Sequence, residues 1–289
     1  MSSFDLATGR SGQLLRDAAI AAGHDLGLFE GVPPPPTRRA RALVDVLLAL
    51  GALVRTGDRF ARGDVPVRPE VPRAGWGLLA DVIRRDRPLP LESGELAHRM
   101  HRHLLAAGAA AARELAPRLG TRALADLGGG AGAYTAAFLD AAPAARATLV
   151  DRDDVVALAR DTLARFVTRV RLVAGDARAV EIGTHGAALL ANVLHLHGAA
   201  ACAELCAAAA RAVEPGGVVA IVEQRVDDGR RGPLAGLLFA LDMALYTDAG
   251  DAYETSQLRG WLAATGLVAI DELRLAAAPD AIVVIGVRR

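Results

Sequence analysis

The chain of 289 residues contains no lysine, so all 33 basic residues are arginine, and 33 acidic residues balance them to a formal net charge of zero. Arginine also fills ordinary surface positions where a bidentate fork has no special use, so its monopoly reads as a coding bias. The first 120 residues carry 17 Arg against 13 acids (17 − 13 = +4), too small an excess to define a binding face. A chain of this balance lacks the concentrated positive field that a nucleic-acid backbone requires. Cysteine is nearly absent too. Cys202 and Cys206 stand one helical turn apart in "CAELCAAAARAV", which excludes a disulfide framework and suggests buried, reduced thiols. No segment reaches the ~18 apolar residues needed to span a bilayer. Asp5, Arg10, Arg16 and Asp17 interrupt any apolar leader, so the default expectation is a cytoplasmic protein without membrane contact.

What the chain does have is apolar mass: 52% of its residues are hydrophobic, enough for a substantial core without metal or disulfide support. The length favours two domains. Apolar positions recur at helical spacing over residues 13–28, and "GVPPPPTRRA" then breaks the chain. Thr37 is placed to cap a second helix whose apolar face is Ala40, Leu43, Val44, Leu47, Leu48 and Leu50, with Gly51 ending it. "ALVRTGDRFARGD" reads as a hairpin turning at Thr56-Gly57-Asp58. Helix, helix and a small wing form the winged-helix pattern, with Arg38, Arg39 and Arg41 opening the would-be recognition helix. The plainer reading makes these arginines a solvated helix face. A long helix over about 92–119 then bridges to the rest, and the expected division is 1–104 and 105–289.

Beyond Arg122 the pattern becomes strand, turn, helix, repeated. Strands are expected at 122–127, 146–150, 169–174, 186–191 and 217–223, with helical segments between them, which implies right-handed crossovers and a parallel sheet. "LVAIDELRL" and "AIVVIGVRR" are separated only by "AAAPD", too short for a crossover, so they form an antiparallel hairpin at a sheet edge. The fold class is therefore α/β, a Rossmann-like sheet with a terminal antiparallel hairpin, preceded by a mainly helical winged-helix domain.

In "LADLGGGAGAYTAAFLDA" a crowd of glycines separates the first of these strands from a helix. Such a turn lets backbone approach a ligand closely while the helix presents its first N–H groups. Gly128, Gly130 and Ala133 also satisfy the dinucleotide pattern, a weak match on its own. Asp126 precedes the glycines, Asp151 closes the second strand, and Asp176 closes the third. A carboxylate at the second position suits two ribose hydroxyls, and an acid after the third strand suits an adenine amine.

With D-x-G-x-G-x-G spelled by Asp126, Gly128, Gly130 and Gly132, the sequence resembles the class I S-adenosylmethionine-dependent methyltransferases. The resemblance implies S-adenosylmethionine as cofactor, S-adenosylhomocysteine as product, and Asp126, Gly128, Gly130, Gly132, Asp151, Arg152, Asp176, Ala177 and Asn192 as its binding residues. His195 follows the fourth strand in "LLANVLHLHG", on the side where ligands bind an open α/β sheet. Here the chain is similar to the narrower group of caffeate- and antibiotic-type small-molecule O-methyltransferases, whose N-V-L-H-D-W motif carries the catalytic base. That similarity covers almost the whole chain. It implies a homodimer through the N-terminal domain, His195 as general base for a hydroxylated, aromatic acceptor, and Glu223 or Glu254 as the carboxylate that orients the imidazole.

Two departures from the pattern bear on the acceptor and the proton path: the group's Asp-Trp is Leu196-His197 here, and its arginine after Glu254 is Thr255. Met100, His101, His197, Phe239 and Met243 are the acceptor-lining expectations, with Leu238, Asp242 and Trp76 beside them. His185 is expected in a loop. His195 and His197 lack a spaced third ligand, so no metal is expected. Two alternatives stay open: carbon or nitrogen methylation (or a non-methylating reaction) on the same fold, and, more distantly, a ligand-sensing regulator that binds DNA through the winged helix.

Overall fold

The computed structural model describes residues 10–90, 105, 108–120 and 122–289. Two compact units emerge, which the chain enters in alternation: Met1–Leu91 with Arg225–Glu254, and Glu92–Gln224 with Thr255–Arg289. The expected division at 104/105 differs from this in two respects: the boundary falls at 91/92, and residues 225–254 group with the N-terminal region.

In the first unit, helices α1 (Arg10–Asp25) and α2 (Arg38–Ala49) are followed by an antiparallel wing, β1 (Leu53–Thr56) and β2 (Arg59–Arg62), and a short helix α3 (Leu79–Arg85). Thr37 caps α2 as its side chain accepts the Ala40 N–H at 3.2 Å, satisfying one of the orphan donors of the first turn. Leu15, Leu43, Leu47, Leu79 and Ile83 point into one core.

The second unit begins, among its described residues, with helical residues 108–115 (α4). Then follow β3 (Ala123–Leu127), α5 (Ala133–Ala141), β4 (Arg146–Asp151), α6 (Asp153–Thr162), β5 (Val170–Ala174), β6 (His185–Ala191), α7 (Ala199–Arg211) and β7 (Val213–Gln224). After the excursion that carries α8 (Leu234–Tyr246), the unit closes with α9 (Thr255–Ala264), β8 (Val268–Leu275) and β9 (Ala278–Val287). The sheet runs β5-β4-β3-β6-β7-β9-β8, parallel except where β9 lies antiparallel to β7 and β8. Glu114 pins the β8–β9 turn, its carboxylate accepting the Ala276 and Ala277 N–H groups at 2.9 Å each. His185 is not in a loop: it opens β6, buried, with Nε2 3.0 Å from Thr148 Oγ1. Burial holds that imidazole below its usual range, so it serves as a neutral core polar group.

α8 explains the alternation of units. Ten of its thirteen residues are buried, and a helix apolar all round needs partners on every side. Leu237, Leu241 and Leu245 supply part of the same core as Leu15, Leu43 and Leu79. A parallel backbone bridge between Val226 and Glu254 joins the two ends of this excursion. Around it runs an ionic staple: Arg39, itself buried, binds Asp86 at 2.8 Å and the Thr247 carbonyl at 3.0 Å. Arg38 donates to the Thr247 and Gly250 carbonyls, and Arg41 pairs with Asp251. Arg230 bridges Asp45 at 2.6 Å and Asp251 at 3.2 Å.

Candidate active site

In the sheet order, β3 connects onward through α5 to β4 on one side, and β6 through α7 to β7 on the other. The crevice beyond the carboxyl ends of β3 and β6 is thus the topological switch point, where open α/β sheets bind ligands. The glycine turn leaves β3 there, and the Asn192–His197 segment leaves β6.

The turn is held by backbone. Gly128 donates to the Val150 carbonyl at 2.8 Å and Gly132 to Gly129 at 3.0 Å. Gly128, Gly130 and Gly132 all adopt positive φ (75°, 57° and 87°), so the three glycines of the D-x-G-x-G-x-G spacing are the left-handed ones. Gly129 falls outside that spacing. Its φ is ordinary, but a Cβ there would stand 2.7 Å from Leu149 Cγ and 2.9 Å from Asp126 Cγ.

Asp151, half-buried at the end of β4, accepts the Gly130 N–H at 2.8 Å through one oxygen and the Arg152 N–H at 2.8 Å through the other. Each oxygen retains a second lone pair, which fits a diol. The Arg152 side chain is turned to Asp154. Asp126 is placed differently: fully buried, it accepts the Thr135 hydroxyl at 2.6 Å and braces the start of α5. Burial pushes its carboxyl up to about 6, with Asp151 adding to the rise. Asp176, in the turn after β5 with Ala177, is gripped side-on by Arg178 at 2.6–3.1 Å, which lowers its carboxyl to about 2.

His195 lies in a single turn, Leu194–Leu196, just past β6. Its Nδ1 is 2.8 Å from Glu223 Oε2, and Glu223 Oε1 accepts the N–H groups of Leu194 (2.7 Å) and His195 (3.3 Å). Register explains the meeting, since parallel pairing of Ala191 with Val222 brings Asn192 level with Glu223. Glu223 is 2% exposed. With Nδ1–H donated to it, the lone pair of the neutral ring falls on Nε2. The alternative partner, Glu254, sits in the backbone bridge with Val226. Cys202, unanticipated in this role, donates its thiol to the Leu194 carbonyl at 3.2 Å and braces the same turn from α7.

His197 is half-buried, and burial with Arg178 and His195 nearby keeps it below the usual imidazole range. Phe239 and Met243 lie in the α8 core at 7% and 8% exposure, which accords with packing. On that helix Asp242 accepts the Trp76 indole N–H at 2.6 Å. Met100 and His101 lie outside the described residues. No group of metal-ligating side chains occurs among the described residues.

A family model described as an O-methyltransferase domain matches residues 98–267. The chain belongs to the O-methyltransferase family. It is accordingly an S-adenosylmethionine-dependent methyltransferase. Among curated relatives of this O-methyltransferase, the 3-hydroxy-5-methyl-1-naphthoate 3-O-methyltransferase of Streptomyces sahachiroi is 28% identical over 98% of this chain and 94% of its own. The tetracenomycin polyketide synthesis 8-O-methyl transferase of Streptomyces glaucescens is 26% identical, with coverages of 86% and 83%. Of solved structures, the O-methyltransferase family 2 protein of Planctomyces limnophilus, in complex with apigenin, matches with a TM-score of 0.77 at 23% identity, covering 99% of this chain and 95% of that one; the likeness is one of fold.

The cofactor fits the residues present. A close-approach glycine turn, a diol-competent Asp151 and the acid at 176 stand around the switch point, and the buried Tyr134 hydroxyl beside the turn makes no well-formed hydrogen bond among the described residues. Asp151 and Asp176 would hold the nucleoside, and the glycine turn would receive the rest.

Proposed function

We propose that the chain methylates a hydroxyl of a small aromatic, polyketide-type acceptor, with His195 as general base and Glu223 as its orienting carboxylate. The His195–Glu223 pair at 2.8 Å carries the reading. Both curated relatives named above act, by their names, on hydroxyl groups of naphthoate- or polyketide-derived compounds.

When bound, the cofactor supplies a methyl group on a sulfonium centre, open to in-line attack. A phenol with pKa ~10 is mostly un-ionised at neutral pH, so its proton must leave as the oxygen–carbon bond forms. Nε2 of His195 takes that proton. The Glu223 carboxylate stabilises the resulting imidazolium and fixes the ring's tautomer. Base catalysis of this kind contributes about 10²- to 10⁴-fold.

The same reading includes an N-terminal dimerisation region and a homodimer; Leu14 on α1 and Val54 on the wing are large apolar side chains left exposed. It does not include DNA recognition. Arg38, Arg39 and Arg41 are engaged in bonds to carbonyls and carboxylates of the chain itself. No described helix is long and apolar enough to cross a membrane.

His195→Ala tests the base. The expected result, with a panel of hydroxynaphthoates and S-adenosylmethionine, is a fall in kcat of about 10²-fold or more with unchanged affinity for S-adenosylhomocysteine. Methyl transfer at the parent rate would remove His195 from the mechanism.

A further inference from the structure

Beside the glycine turn lies a buried hydroxyl that makes no well-formed hydrogen bond within the protein. Tyr134 is the second residue of α5 and is 8% exposed. Its phenolic oxygen is buried and makes no hydrogen bond of good geometry among the described residues; the Asn192 side chain is the one group near enough to act as a weak hydrogen-bond partner. Native proteins seldom leave such a group unsatisfied without a reason. Burial, and after it the Asp126 carboxylate, keeps the hydroxyl protonated far above any working pH, so it stands as a donor that a stronger acceptor than the Asn192 amide would satisfy.

Three polar groups surround it. Asn192, the chain's single asparagine, adopts a left-handed φ of 55° just past β6 and donates its N–H to the Val222 carbonyl at 2.8 Å. Glu223 follows Val222, and its charge also reaches Tyr134. Asp126 at the end of β3, Asn192 after β6 and Glu223 on β7 are thus the polar groups around the Tyr134 hydroxyl, while Asp151 and Asp176 close β4 and β5. A ligand whose nucleoside is held over β4 and β5, and whose sulfur serves the His195 side, brings its amino-acid end toward the Tyr134 side. That end carries the ligand's one carboxylate, a strong acceptor.

We propose that Tyr134 is a cofactor-site residue whose hydroxyl donates a hydrogen bond to the amino-acid moiety of S-adenosylmethionine. The inference rests on the placement of the cofactor at the glycine turn and extends it to a residue outside the D-x-G-x-G-x-G spacing. Phe at this position keeps the ring and its packing and deletes only the donor.

The experiment compares wild-type protein with Tyr134→Phe in two measurements. Calorimetry uses S-adenosylhomocysteine and 5′-methylthioadenosine, which lacks the amino-acid moiety; thermal unfolding is followed without ligand. The variant is expected to bind S-adenosylhomocysteine about tenfold more weakly, equivalent to ~1.4 kcal/mol, and methylthioadenosine as wild type does. Without ligand it is expected to unfold at the same temperature or higher, because a buried unsatisfied hydroxyl has been removed. Unchanged affinity for S-adenosylhomocysteine overturns the proposal. So does an equal loss for both ligands, which would assign the hydroxyl to the turn itself, or a lowered unfolding temperature, which would reveal a partner within the protein. Failure of wild-type protein to bind either ligand would instead bring down the cofactor's placement, and this inference with it.

Discussion

Glu223 holds His195 twice: its Oε2 meets the ring Nδ1 at 2.8 Å, while its Oε1 accepts the His195 backbone N–H at 3.3 Å together with that of Leu194 at 2.7 Å. One carboxylate therefore orients the imidazole and shapes the turn that presents it. An amide in its place has one acceptor oxygen and a donor, while donors approach from both sides. We expect Glu223→Gln to lower kcat by roughly 10²-fold and to leave S-adenosylhomocysteine affinity near wild type. Steady-state rates beside calorimetry check this, and a variant with full kcat would show the carboxylate to be dispensable.

Asp126 makes stability depend on pH. Its native carboxyl is pushed up to about 6 from 3.8, so the folded state holds the proton more tightly than the unfolded chain across that interval. The sign follows: this group favours folding most below about pH 4, and its contribution declines as pH rises toward about 6. Between pH 4.5 and 7.5 the decline is on the order of 2 kcal/mol. Asp126→Asn should flatten it. Denaturant midpoints of both proteins at the two pH values measure the difference, and parallel behaviour would mean that Asp126 ionises like an exposed acid.

Gly128 couples the cofactor turn to the segment bearing the base. Its φ is 75°, and a Cβ there would fall 2.5 Å from Val193 Cγ2, two residues before His195. Gly128→Ala therefore combines left-handed strain of about 1–2 kcal/mol with displacement of Val193. We expect weaker cofactor binding and a lower rate together. Adding Val193→Ala should recover the steric part and leave the strain, a partial rescue that thermal unfolding and kinetics can separate.

Arg230 sits between two acids in the first unit, Asp45 and Asp251, with all three side chains largely buried. Removing the cation strands Asp45 and leaves Asp251 with Arg41 as its remaining cation, and such a break costs about 3–5 kcal/mol. Burial already pushes the Asp45 carboxyl up despite Arg230; without that cation, protonation becomes easier still. The loss in Arg230→Met should thus be smaller at pH 5 than at pH 8, as read from denaturant midpoints. An equal loss at both would indicate that packing by the arginine stem dominates.

Much of the site is legible in the amino-acid sequence, because its signals are local. Turn chemistry picks out Gly128, Gly130 and Gly132, and resemblance of the segment after the fourth strand to the N-V-L-H motif picks out His195. Asp126 is legible as a residue of the turn, although its side chain braces α5 beneath the loop through Thr135. Gly129, Tyr134 and Cys202 are not legible in these roles, since each depends on what stands opposite it. The choice between Glu223 and Glu254 is likewise open at the level of sequence, where the family resemblance offers both as the orienting carboxylate.

By itself the sequence determined the alternating strands and helices, the closing hairpin, the cap at Thr37 and the glycine turn, since periodicity and turn preference act over a few residues. Only the tertiary structure decided that Glu223 meets His195, that α8 completes the helical core of the N-terminal region, and that Arg38, Arg39 and Arg41 bind residues some 210 positions further on. Those outcomes depend on strand register and on competition for burial between distant segments, and no local pattern encodes which segment will win.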